Sequence, residues 1–178
     1  MRAITINNYG GAENLELTEL PMPERKPGQI LVKTKACGVN FIDTYQRAGI
    51  ANYQKPLPLT LGLEGSGEVI ESDNPAFKPG EVVAWPFAPA SYAEYLAVDE
   101  TKLVKVPTNI TPEIAAASML QGMTAHYLVN DTFKIKDNST ALVHAAAGGV
   151  GLLLIQMIKQ LGGQVIATAS TDEKRQRA

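Results

Sequence analysis

The sequence has a single cysteine, Cys37, among 178 residues, and only two histidines, His126 and His144. One cysteine forms no internal disulfide and supplies no metal framework, and neither histidine has a partner at metal-ligand spacing. A net charge of -2 gives no field that favours nucleic acid or an anionic membrane. No run approaches the roughly eighteen apolar residues of a membrane span. The opening "MRAITINNYGG" lacks the apolar stretch of a secretory signal. Internal repeats and low-complexity segments are absent too. What is there is 45% hydrophobic and 19% charged, the balance of a soluble globular protein. The expected location is the cytoplasm, and the length suits one domain plus part of another.

The first hundred residues read as short strands separated by turns. "RAITINNYG" alternates and stops at Gly10-Gly11, and "LELTELPMP" alternates before prolines that cannot donate to a ladder. "KPGQILVKTKACGVN" opens on a Pro27-Gly28 turn and puts Ile30, Val32 and Thr34 on one face. "FKPGEVVAWPFA" repeats the device with Pro79-Gly80. Such a pattern indicates a small barrel or sandwich, with Trp85 in its core. The pattern changes at "NITPEIAAASMLQGMTAHYLVND", where Thr111 suits an N-cap, Pro112 the first helical position and Glu113 the first turn. The apolar run "STALVHAAA" then suits a strand buried on both faces of a parallel sheet. The domain boundary is placed at 123/124.

"AAAGGVG" carries Ala146-x-Gly148-x-x-Gly151, the dinucleotide spacing with alanine at its first position. The middle glycine lets the backbone approach a pyrophosphate, and the last lets the helix pack closely on its strand. The preceding strand and the following "VGLLLIQMIKQLGG", with Val150, Leu154, Met157, Ile158 and Leu161 on one face, give the motif the context it requires. Ala147, Gly148, Gly149, Val150 and Gly151 are the expected phosphate contacts. Next, "VIATASTDEK" offers Ser170, Thr171 and Lys174 where an acidic residue would select NAD, and hydroxyls with a cation favour a 2′-phosphate. Asp172 and Glu173 weaken that preference. NADPH is the expected cofactor.

"ACGVNFIDTYQRAG", "GLEGSGEV", "FKPGEVVA", "QGMTAHYL" and "HAAAGGVGLLLIQMIKQLG" stand in the order found in medium-chain dehydrogenases/reductases. The chain resembles their zinc-independent quinone oxidoreductase, or ζ-crystallin-like, branch. The resemblance implies an α/β plus β fold: a GroES-like β-barrel catalytic domain (1–123), then the first part of a Rossmann doubly wound parallel sheet (124–178). It also implies NADPH between the two and, for the full-length form, a homodimer. Because such proteins run to about twice this length, the chain is expected to be an N-terminal fragment. In that alignment Asn40 stands where zinc-dependent relatives have a cysteine ligand and Leu63 where they have a histidine, so no catalytic metal is expected.

By the same resemblance Asn40, Tyr45 and Tyr53 line the catalytic cleft. Asn40 would bond the nicotinamide or a substrate oxygen, Tyr45 a substrate carbonyl, and Thr124 the nicotinamide half of the cofactor. The local alternatives are a turn asparagine, a half-buried tyrosine at a strand end, and a helix threonine bonded to its own preceding turn. Asp43 is expected to orient the loop through backbone N–H groups, and Glu64 to pair with an arginine or cap a turn. The implied activity is metal-independent reduction of a quinone by NADPH. Reduction of an enone or enoyl C=C bond is a second reading, and a catalytically inactive fragment of either enzyme a third.

Overall fold

The structure is a computed structural model and describes residues 1–178, which divide into two compact units, Met1–Met119 and Leu120–Ala178. In chain order the first unit holds strands β1 (Arg2–Ile6), β2 (Glu16–Glu19) and β3 (Gln29–Cys37), then helix α1 (Phe41–Ala48). Strands β4 (Leu59–Thr60), β5 (Gly65–Glu71), β6 (Val82–Trp85), β7 (Tyr95–Asp99) and β8 (Val104–Lys105) follow.

Five of these strands form one antiparallel sheet in the order β7-β3-β5-β6-β8, and three form a second in the order β2-β1-β4. A bridge between Ala3 and Ala93 ties the two together. The Pro27-Gly28 and Pro79-Gly80 turns appear as expected, with φ of 80° and 88° at their glycines. Ile30, Val32, Val69, Val83, Trp85, Leu96 and Val98 project from the five-stranded sheet into one core. Trp85 is wholly buried and satisfies its indole N–H on Ser91 Oγ at 2.8 Å. Thr34 follows Ile30 and Val32 inward only in part, because the β3–β5 register shifts on either side of it.

Helix α2 (Pro112–Tyr127) begins as its sequence signals promise. The Ile114 N–H reaches Thr111 Oγ1 at 3.4 Å, and bonds from its own backbone N–H and from Thr111 hold the Glu113 carboxyl below its usual range. The expected boundary at 123/124 falls inside this continuous helix.

In the second unit β9 (Thr140–Val143), α3 (Gly149–Gln160) and β10 (Gln164–Ala167) make a β-α-β unit with parallel pairing, followed by α4 (Asp172–Arg177). Its core joins Val129, Val143, Ala146, Ile155 and Ile158. Two expectations need correction. The buried stripe of α3 runs through Gly151, Ile155 and Ile158, with Leu154 and Met157 beside it, whereas Leu161 is exposed. The β9–β10 sheet is not covered on both faces: α3 packs one, while Leu142 and Ile166 on the other are each 57% exposed. An apolar run records what a strand is able to bury; which faces get covered depends on the elements packed around it. No helix is long and apolar enough to cross a membrane.

Candidate functional site

Helix α1 starts at Asn40, whose backbone is extended and whose N–H donates to Asp43 Oδ2 at 2.9 Å. This reciprocal pairing of the cap with the third helical residue satisfies an N–H that would otherwise be buried and unpaired. The same Asp43 oxygen accepts the Tyr92 hydroxyl at 2.7 Å, while Asp43 Oδ1 is buried without a partner. Burial first, then the bond to Asp43, push the Tyr92 phenol well above its usual range, so it stays a donor at any physiological pH. Asp43 thus orients the backbone as expected.

Glu64 departs from expectation. It is wholly buried, and its Oε1 accepts Asn40 Nδ2 at 2.7 Å. A buried carboxylate needs strong donors to be tolerated, and the Asn40 amide is one of them. Room for it comes from Gly38, where a Cβ would stand 1.8 Å from Glu64 Oε1. Asn40 is 8% exposed, so its amide plane is fixed by this bond rather than by solvent.

Tyr45 lies on α1, not at the end of a strand, and its ring sits 5.1 Å from that of Tyr53 and 6.4 Å from that of Phe41. Tyr53 in turn lines a cavity of about 590 Å³ whose walls include Ile42, Gln46, Leu63 and Phe87. Asn40, Tyr45 and Tyr53 are therefore joined through one short helix and the loop after it.

Cys37 is exposed, yet its Sγ donates to the Ser91 carbonyl at 2.8 Å. Desolvation, then the charge of Asp43, push the thiol up to about 11 from 9.0. Two pH units mean about a hundredfold less thiolate, so Cys37 is expected to react with iodoacetamide at pH 8 about a hundredfold more slowly than a free thiol. The rate should keep rising up to about pH 11 and beyond; levelling off by about pH 10 would show an unperturbed cysteine.

In the second unit the glycine turn places Gly148 at the N-cap of α3, with extended backbone. Gly149, Val150 and Gly151 follow as the first helical turn. Their N–H groups find no acceptor in the fold, the regular ladder resuming when Leu152 N donates to Gly148 O at 2.9 Å. A Cβ on Gly151 would meet Ala145 O at 2.6 Å and Ala146 Cα at 2.7 Å, so only glycine lets the helix start this close to the strand. Unpaired N–H groups at the positive end of a twelve-residue helix fit a phosphate. Ala147 is half-buried beside them.

The other expected cofactor residues lie at the ends of α2 and β10. The Thr124 hydroxyl donates to Leu120 O at 2.7 Å, within its own helix. Thr171 caps α4 by accepting Lys174 N at 3.2 Å, and Ser170 and Lys174 are exposed beside it. Asp172 pairs with Arg175, and both it and Glu173 are exposed.

The sequence profile of the alcohol dehydrogenase GroES-like domain matches residues 26–108. Quinone oxidoreductase of Pseudomonas aeruginosa is 45% identical over 93% of this chain and 52% of its own length. The solved structure of Escherichia coli quinone oxidoreductase complexed with NADPH superposes with a TM-score of 0.94 at 38% identity, covering 99% of this chain and 55% of that one. Residues 26–108 thus match the alcohol dehydrogenase GroES-like domain, and the chain is similar along nearly its whole length to quinone oxidoreductases of the medium-chain dehydrogenase/reductase family. A 2-haloacrylate reductase of Burkholderia is also 37% identical, over 99% of the chain and 55% of that protein. The chain spans about half the length of the curated relatives it matches.

The family's motifs pick out Asn40 and Tyr45, but three residues around them escape a motif reading: Glu64, Tyr92 and Gln46. Asn40 and Glu64 are separated by 24 positions, and Asp43 and Tyr92 by 49, so no local pattern announces either bond. The cap-and-third-residue spacing of Asn40 and Asp43 was the one local signal available.

Proposed function

We propose that this protein is an NADPH-dependent quinone oxidoreductase that works without a metal. The observation that carries the reading is the row of unpaired N–H groups at Gly149, Val150 and Gly151, set at a helix N-terminus by a turn only glycine allows. When bound, NADPH supplies the hydride. Ala147 to Gly151 hold its pyrophosphate, and Ser170, Thr171 and Lys174 receive the 2′-phosphate through charge-assisted bonds. Thr124 contacts its nicotinamide half through an oxygen that still has lone pairs to offer after donating to Leu120. In this reading residues 1–123 form the catalytic GroES-like domain and 124–178 the beginning of the NADP-binding domain. The full-length form is a cytoplasmic homodimer.

The acceptor occupies the cavity beside α1, whose largely apolar walls exclude water. Asn40, locked by Glu64, holds an amide of fixed orientation toward the reacting groups, and Tyr45 bonds a substrate carbonyl. Tyr53, tilted 45° against Tyr45, packs against the ring of the acceptor. The similarity to a 2-haloacrylate reductase favours a second reading, NADPH-dependent reduction of an activated C=C bond in the same cavity. Loss of NADPH absorbance with 9,10-phenanthrenequinone, compared with 2-chloroacrylate, separates the two in the 178-residue chain and in the complete gene product. Quinone-dependent oxidation supports the first reading, acrylate-dependent oxidation the second. Oxidation by neither leaves the chain similar to the family without its activity.

A further inference from the structure

The polar side chains of the cavity beside α1 are Gln46, Asn52, Tyr53, Lys55 and Thr60. Lys55 is the one charged side chain in its lining, and no carboxylate lines it. Lys55 is exposed and forms no ion pair, while its carbonyl accepts the Tyr9 hydroxyl and so anchors the backbone at the rim. Gln46, 7% exposed, is part of the wall, and its side-chain amide carries both a donor and an acceptor. Tyr53 and Phe87 add aromatic surface to the same walls.

We infer that the acceptor this cavity selects is anionic: a planar conjugated carbonyl compound bearing a carboxylate or sulfonate. A carbonyl other than the one given to Tyr45 bonds the Gln46 amide, its ring lies against Tyr53 and Phe87, and its acidic group meets the Lys55 ammonium. A neutral quinone fits the same walls but leaves the cation unanswered. With no carboxylate in the lining, an anion meets no repulsion there. The inference rests on the reading of this cavity as the acceptor site.

The test is calorimetric titration of the 178-residue chain with anthraquinone-2-sulfonate and with 2-(hydroxymethyl)anthraquinone, a neutral compound of nearly the same shape. The sulfonate is expected to bind about fivefold more tightly at low salt, the size of a partly exposed charge contact. That preference should shrink as salt screens it. Lys55→Gln should bring the ratio of the two Kd values close to one, and Lys55→Glu should invert it. Lys102→Gln, a lysine outside the cavity, should keep the wild-type ratio. Gln46→Leu should weaken both ligands several-fold. Binding of both compounds with a ratio that Lys55→Gln leaves unchanged overturns the inference and spares the acceptor site. If neither compound binds, the acceptor site itself is misassigned.

Discussion

A Gly151→Val protein is expected to lose NADPH binding and much of the stability of its second unit. The added Cβ meets two backbone atoms, Ala145 O and Ala146 Cα, neither of which moves without displacing the turn or α3. Overpacking of this kind costs about 1–3 kcal/mol, and it shifts the N–H groups of Gly149, Val150 and Gly151 from their common direction. The dissociation constant for NADPH should rise about a hundredfold, the worth of two charge-assisted bonds. Gly148→Ala separates the two effects. Its Cβ meets a single atom, Ala145 O, at 3.1 Å, so the unit should stay folded while NADPH binds several-fold more weakly. Gly122 has open space around it, and Gly122→Ala on α2 should leave binding unchanged and stabilise the helix by up to ~1 kcal/mol. Thermal unfolding and NADPH titration of the three variants check this. Wild-type binding by Gly151→Val would remove the phosphate cradle from the account.

Asp43→Ala should be as damaging to the first unit. Its Oδ2 is the acceptor for both the Asn40 N–H and the Tyr92 hydroxyl, and the residue is 4% exposed. Two buried donors left without an acceptor cost about 2–4 kcal/mol together, and α1 loses its N-terminal anchor. Because α1 carries Tyr45 and Gln46, quinone binding should fall with stability. Asp43→Asn keeps an acceptor oxygen and removes the charge, so its loss should be smaller. It should also speed Cys37 alkylation at pH 8, since the Asp43 charge helps push that thiol up. A melting temperature unchanged in Asp43→Ala would show that the cap contributes little.

The parts of this fold legible in the sequence are those whose signals are local. Alternation around Ile30 and Val32, the Pro-Gly turns, the Thr111-Pro112-Glu113 helix start and the glycine turn all carry their cause within a few residues. Helix α1 was hidden because it inverts the usual rule: Phe41 is 79% exposed, while the buried residues of the helix are Asp43 and Gln46. A helix whose inner face is polar shows no apolar period, so "NFIDTYQRA" reads as a motif without a shape. Glu64 was hidden for a different reason. In "GLEGSG" it looks like a turn residue, and only folding β3 against β5 brings its carboxylate under Asn40. The exposed face of Leu142 and Ile166 marks the same limit, since a run of apolar residues does not say which neighbours cover it.

Titration of the 178-residue chain with NADPH, and separately with NADH, tests the central claim most directly. The account predicts saturable NADPH binding, weaker NADH binding because Ser170, Thr171 and Lys174 have no 2′-phosphate to meet, and loss of the difference in Lys174→Ala. Failure of the chain to bind either nucleotide would contradict the account, for it would leave the N–H groups of Gly149, Val150 and Gly151 a feature of the fold with no part in function.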